Sequence, residues 1–183
     1  MSTYTPLTEQ QFDHCICLMK QKNKEGLRIV YEAYLPYIYH IIFEILHNKE
    51  NTEDVAADFF IKLWEKCGDY KPGGGHRAWL ARIAHNMAID YLRKSRREDL
   101  TEELPEPEPV QETPETIVVE DVSLKDALKS LKDSEREIVH LKIMGDLTFQ
   151  EIAKVLKVPM GTVTWRYQEA MRKLRSYGYE EKL

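Results

Sequence analysis

The clearest hydrophobic period lies toward the C-terminus, where Val163, Tyr167, Ala170, Met171 and Leu174 recur at i, i+4, i+7, i+8 and i+11. That is the spacing of a helix burying one stripe. Just before it, Ile152, Val155 and Leu156 form a shorter stripe, and Thr148 with Glu151 three residues on has the form of a capping box that starts a helix. Lys157-Val158-Pro159 interrupts the pattern. Pro159 cannot continue the first helix, but its fixed φ and missing N–H suit the first turn of a second. The pattern therefore predicts a helix-turn-helix over 148–175, with Thr162, Trp165, Arg166, Gln168, Glu169 and Arg172 turned away from the core. Gly161, Thr162, Thr164 and Arg166 stand at the N-terminal end, the end that a recognition helix inserts toward base edges. An ordinary helical hairpin has the same periodicity.

Upstream, the same period predicts four more helices. Thr8 caps one over 9–22, and a second over 25–46 contains Pro36, expected to kink or divide it. Asn51-Thr52-Glu53-Asp54 starts a third, reaching Lys66, with Ala56, Phe59, Phe60 and Leu63 as its apolar stripe. The fourth, within 76–97, carries Leu80, Ile83, Ala84, Met87, Ala88 and Tyr91 on one side. Alternating strand patterns and Gly-rich phosphate loops are missing from the sequence, and so is an apolar run near the length of a membrane span. The expected fold class is all-α: two small helical domains, 1–97 and 121–183, joined by an acidic Pro-rich linker at 98–120.

Charge supports that division. Residues 98–120 hold Pro105, Pro107, Pro109 and Pro114, nine acids and no Lys or Arg, a composition that cannot bury a core and stays extended. The formal net charge of −5 is concentrated there, because the rest of the chain sets 26 Lys and Arg against the remaining 22 acids, a balance of +4. An acidic chain overall thus carries mildly basic folded parts, and nucleic acid is not excluded as a partner. Cys15, Cys17 and Cys67 imply neither a disulfide framework nor a zinc site. No signal-peptide pattern opens the chain, and a cytoplasmic protein without membrane insertion is expected. The six histidines are scattered, with no His-x-x-x-His pair, so neither a metal nor a cofactor is expected, and catalysis is disfavoured.

Two of the upstream helices have outer faces with chemistry of their own. Between 77 and 97, Arg77, Arg82, Arg93, Lys94, Arg96 and Arg97 stand against the single acid Asp90. Such a face can follow phosphates, while Asn86 and a ring such as His85 or Trp79 can hydrogen-bond or stack on an unpaired base. Trp79 has an equally natural place in the core. On the helix from 51 to 66, the outer face holds Asp54, Ala57, Asp58, Ile61, Lys62 and Glu65. An apolar Ile61 among charges is a mixture that protein interfaces use, and a solvated helix face looks similar.

Three stretches in order, NTEDVAADFFIKLWEK (51–66), AWLARIAHNMAIDYLR (78–93) and 131–175 with its helix-turn-helix, resemble the extracytoplasmic-function group of bacterial RNA polymerase sigma factors. These proteins carry only the second and fourth conserved sigma regions. The resemblance implies that Asp54, Ala57, Asp58, Ile61 and Lys62 dock on the β′ clamp helices of core RNA polymerase. It implies that the loop 68–76 and the following helix recognise and open the minus-ten element, through His76, Arg77, Trp79, Arg82, His85, Asn86, Arg93, Lys94, Arg96 and Arg97. Gly161, Thr162, Thr164, Trp165, Arg166, Gln168, Glu169 and Arg172 would read the minus-thirty-five element, with the second domain on the β flap. Promoter DNA and an anti-sigma factor are the other implied partners, and the free protein is expected to be monomeric. The linker would run through the polymerase active-centre channel.

The chain departs from the family pattern at several positions. Lys157 stands where the turn commonly has Gly or a small polar residue, so a positive φ there would cost about 1–2 kcal/mol. Thr164, Trp165 and Glu169 make the recognition helix less cationic than usual, Ala57-Asp58 replaces a common Gln-Glu pair, and His85 a frequent Arg. Two other classes of protein stay open on the residues alone: a free-standing duplex-operator regulator and a purely protein-binding helical adaptor.

Overall fold

The structure, a computed structural model, describes residues 6–99 and 127–176, and the chain divides into two compact units, 1–103 and 104–183. The linker expected at 98–120 falls, from residue 100 on, outside the described residues. Among the described residues every regular element is helical. Unit 1 contains α1 (Glu9–Lys20), α2 (Lys24–Leu46), α3 (Lys49–Lys66), a 3₁₀ turn (Cys67–Asp69) and α4 (His76–Asp99). Unit 2 contains α5 (Asp133–Ile143), α6 (Phe149–Leu156) and α7 (Met160–Ser176).

In unit 1, α2 is the centre, with α1, α3 and α4 packed against it. Val30, Tyr34, Ile38 and Ile42 are fully buried there, facing a core that includes Phe12 and Met19 of α1, Phe59 and Leu63 of α3, and Leu80, Ala81, Ala84 and Ala88 of α4. The small residues on α4 remove side-chain bulk and let it approach α2 closely. Contrary to the sequence expectation, α2 is long and apolar enough to cross a membrane by length and composition. Here its apolar surface is used as the core of a bundle. Pro36 lies inside a continuous helix and does not divide it. The proline removes one backbone donor, and the buried residues on both sides hold the helix together across the gap.

Helix starts follow local chemistry closely. Thr8 and Gln11 form a reciprocal capping box on α1, and Asn23 caps α2. The third helix starts earlier than its sequence suggested, because Asn48 accepts from the Asn51 N–H at 2.9 Å and serves as the cap. Thr52, offered by the sequence as part of a helix start, is instead buried in the first turn, its hydroxyl donating to the Asn48 carbonyl at 2.6 Å.

Helices α1 and α2 approach closely at Gly26. A Cβ built on Gly26 would lie 2.4 Å from the Cys15 carbonyl oxygen and 2.9 Å from Leu18 Cβ, both parts of the facing helix that cannot turn aside. Gly26→Ala should therefore force the two helices apart and destabilise unit 1 by about 1–3 kcal/mol, despite alanine's better helix propensity. Thermal melting checks this: a lower Tm is expected, and an unchanged or higher one would contradict the close packing.

Candidate functional site

Unit 2 builds the helix-turn-helix from local signals. The Thr148 side chain accepts from the Glu151 N–H at 3.3 Å while Glu151 accepts from the Thr148 N–H at 2.8 Å, closing the capping box. Lys157 ends α6 in the left-handed region (φ 57°, ψ 40°), so the departure at this position does carry the strained conformation. The turn is regular nonetheless: Val158 N–H donates to the Ala153 carbonyl at 3.1 Å, and the Pro159 carbonyl accepts from Thr162 at 3.0 Å and Val163 at 3.2 Å. The Phe149 and Tyr167 rings, 5.2 Å apart, tie α6 to α7.

All five residues of the expected α7 stripe, Val163, Tyr167, Ala170, Met171 and Leu174, are buried. Their burial turns Gly161, Trp165, Gln168 and Arg172 outward in one row at i, i+4, i+7 and i+11, all exposed, with Trp165 at 61%. Thr162, Thr164, Arg166 and Glu169 flank that row and are half-buried. Two of these polar groups are engaged: Thr164 Oγ1 donates to the Met160 carbonyl at 3.0 Å, and Glu169 accepts from Arg172 Nε at 3.1 Å and forms a second contact with its guanidinium. At an exposed site that ion pair adds little stability. Its consequence is to offset the charge of Arg172, leaving Trp165 as the largest unengaged group on the row.

An ion pair at the back of α7 fixes the helix on its domain. Glu135 of α5 is 3% exposed and accepts from Lys173 Nζ at 2.7 Å and from the Lys132 N–H at 2.9 Å. Burial opposes ionisation of Glu135, but the Lys173 ammonium and the Lys132 N–H outweigh it and hold its carboxyl below the ordinary glutamate value. The sequence reading assigned no role to this pair, because its partners lie 38 residues apart.

On α4, Arg82, Asn86, Ile89, Arg93 and Arg97 fall at i, i+4, i+7, i+11 and i+15, opposite the buried Leu80, Ala84 and Ala88. Arg82, Arg93, Lys94 and Arg97 are exposed, while Arg77, His85 and Asn86 are half-buried. Arg93 lies 3.8 Å from Asp90. The side chain of Arg96 lies outside the described residues. Trp79 is half-buried, its ring 5.1 Å from Tyr70 and 6.4 Å from Phe12, which favours the core place that the sequence left open.

His76 requires a correction. The residue, expected at a DNA surface, is only 2% exposed, with Nδ1 2.6 Å from Glu9 Oε1 and Nε2 2.5 Å from the Tyr34 hydroxyl. Phe12 stacks on it at 4.6 Å. Burial pushes the imidazole below its ordinary pKa, more than the Glu9 carboxylate raises it. A neutral ring then donates from Nδ1 to Glu9 and accepts from Tyr34, which satisfies both nitrogens. Sequence placed His76 on a basic stretch; the enclosing residues come from α1 and α2, far away in the chain.

On α3, Asp54, Ala57, Asp58 and Ile61 form an exposed row at i, i+3, i+4 and i+7, with Ile61 at 60%, and Lys62 is half-buried beside it. Tyr31 of α2, missed in the sequence, leans on Phe60 with ring centroids 4.7 Å apart and leaves an aromatic edge exposed near α3.

Comparison with known proteins gives two family matches in order: Sigma-70 region 2 over residues 30–98 and Sigma-70 region 4 over 127–176. The ECF RNA polymerase sigma factor SigK of Mycobacterium sp. (strain JLS) is 22% identical over 178 residues, covering 93% of this chain and 92% of its own. SigW of Bacillus subtilis (strain 168), also an ECF RNA polymerase sigma factor, is 28% identical over 172 residues, covering 85% and 91%. The fold is shared with the sigma factor RpoE from Bartonella quintana, solved in complex with the anti-sigma factor NepR. That match has a TM-score of 0.66 at 23% identity and covers 86% of this chain and 96% of the other.

The Glu135–Lys173 pair yields a pH prediction. With its folded pKa depressed, Glu135 stabilises unit 2 fully above the unfolded glutamate value of about 4.3 and loses that contribution as pH falls through the lower folded value. Glu135→Gln should cost about 1–3 kcal/mol at pH 7 and flatten the loss of stability on acidification. Hydrogen exchange of the α7 amides between pH about 6 and 3 checks both parts. An unchanged pH dependence in the variant would show that another group carries it.

Proposed function

The chain belongs to the extracytoplasmic-function group of bacterial RNA polymerase sigma factors, and from that premise we propose how its surfaces divide the work of initiation. It is an alternative sigma factor that directs transcription initiation. In our reading, the α3 row of Asp54, Ala57, Asp58 and Ile61, with Lys62, docks on the β′ clamp helices of core polymerase, and unit 2 docks on the β flap. The exposed Ile61 supports this, since an apolar side chain among acids gains most from being covered. The α4 row captures the opened minus-ten strand: Arg82, Arg93, Lys94 and Arg97 follow phosphates, and His85 and Asn86 contact a displaced base. The α7 row of Gly161, Trp165, Gln168 and Arg172 enters the major groove of the minus-thirty-five element, flanked by Thr162, Thr164, Arg166 and Glu169.

One observation carries the proposal: a basic helix face suited to unpaired DNA and a recognition helix suited to duplex DNA occur on two separate units of one chain. The energetics favour a subunit over an autonomous DNA opener. Separating about ten base-pair steps costs on the order of 14 kcal/mol. One or two captured bases return roughly 1–3 kcal/mol each, so core polymerase must hold the strands.

We further infer function boundaries near 97 and 121, with the acidic 98–120 segment passing through the active-centre channel. The protein acts without catalysis or cofactor, in the cytoplasm, as a monomer when free. Its regulator is an anti-sigma factor covering the polymerase- and DNA-binding faces, by analogy with the complex of the related RpoE with NepR.

Two variants separate the surfaces. Ile61→Asp should weaken core-polymerase affinity by about tenfold or more, since it buries an unpaired charge at the interface. Trp165→Ala should leave core affinity intact and remove about 1–3 kcal/mol of preference for the minus-thirty-five sequence. Both affinities can be read by titration of labelled full-length protein. Core binding untouched by Ile61→Asp, or sequence preference untouched by Trp165→Ala, would refute the corresponding assignment.

A further inference from the structure

The loop before α4 contains Gly73-Gly74-Gly75, with Gly73 at φ 76° and Gly75 at φ 75°. A Cβ on Gly73 would meet nothing within 4 Å, so this glycine serves backbone conformation rather than packing. A segment of this kind has little stiffness of its own, and its geometry must come from its ends. Both ends meet one carboxylate. Glu9 Oε2 accepts from the Tyr70 hydroxyl at 3.3 Å, on the near side of the loop. On the far side, Glu9 Oε1 accepts from His76 Nδ1 at 2.6 Å and from the His76 N–H at 3.4 Å. Phe12, one turn along α1, backs the arrangement by stacking on His76 and meeting the Tyr70 ring edge-on at 5.2 Å. Tyr70 is a steady donor, because burial and then the neighbouring Glu9 and Asp13 carboxylates push its phenol well above the ordinary value.

We propose that Glu9 is a positioning residue for promoter opening, a single carboxylate on α1 that spans both ends of the 71–75 loop and sets where that loop and the first turn of α4 meet the unpaired strand. The inference rests on the reading of 68–76 and α4 as the strand-opening element. Glu9 and Phe12 precede residue 30, where the region 2 match begins, so the clamp joins the matched region to a helix outside the matched segment. The Glu9 side chain is 48% exposed whereas the His76 side chain it holds is 3% exposed. Removing the carboxylate therefore leaves the apolar core in place and changes the constraint on the loop.

The test uses full-length Glu9→Ala and Glu9→Gln assembled with core polymerase, with folding verified by circular dichroism. Three quantities are compared with the wild type. They are core affinity, binding to a duplex carrying only the minus-thirty-five element, and binding to a non-template single strand carrying the minus-ten sequence of a mapped promoter. Permanganate reactivity of the minus-ten thymines follows opening itself. Glu9→Ala should lose about tenfold in single-strand binding and opening while the first two quantities hold, the size expected from losing hydrogen bonds to a charged group. Glu9→Gln, which retains an acceptor for His76, should recover most of that loss. Wild-type single-strand binding by Glu9→Ala would overturn the proposal, and so would an equal fall in all three quantities without rescue by Gln, which would mark a structural role alone. A wild-type holoenzyme that opens promoters without binding the single strand would instead overturn the reading of the loop, and the proposal with it.

Discussion

Burial of one stripe on each helix is the constraint from which the functional surfaces follow. A helix that buries Val163, Tyr167, Ala170, Met171 and Leu174 must present Gly161, Trp165, Gln168 and Arg172 on its other side. In the same way, burying Ala56, Phe59, Phe60 and Leu63 turns Asp54, Ala57, Asp58 and Ile61 outward, and burying Leu80, Ala84 and Ala88 turns out the arginine row of α4. Each proposed interface is thus the reverse of a core. The hydrophobic stripes hold the spacing of these outer rows to that of the helical backbone.

Much of this was legible in the sequence because it is local. The α7 stripe, the Thr148–Glu151 capping box and the break at Lys157-Val158-Pro159 all depend on residues within a few turns of one another. Where local signals competed, the outcome needed three dimensions. Asn48 rather than the 51–54 cluster caps α3, Pro36 sits in an unbroken helix, and α5 had no distinct boundary in the pattern. His76 was misplaced for the clearest reason: its partners Glu9, Phe12 and Tyr34 are 42 to 67 residues away, and no periodicity reports such a pairing. The Glu135–Lys173 pair was invisible on the same ground.

In the proposed reading, the two units divide recognition between two states of DNA. On that reading the α7 row meets duplex, where the exposed Trp165 and the Arg172 paired with Glu169 would favour apolar contact over charge. The α4 row concentrates arginines around half-buried His85 and Asn86, a combination better matched to a strand already separated. One or two captured bases do not offset the cost of separating the strands, so the proposed reading places specificity in this chain and strand separation in the polymerase.

That division is tested most directly by run-off transcription from a pool of genomic fragments, using core polymerase with and without the protein. The account predicts discrete new 5′ ends only when the protein is present, with two shared sequence blocks upstream of them. Absence of new transcripts, together with specific duplex binding by the protein alone, would contradict it and identify a free-standing regulator.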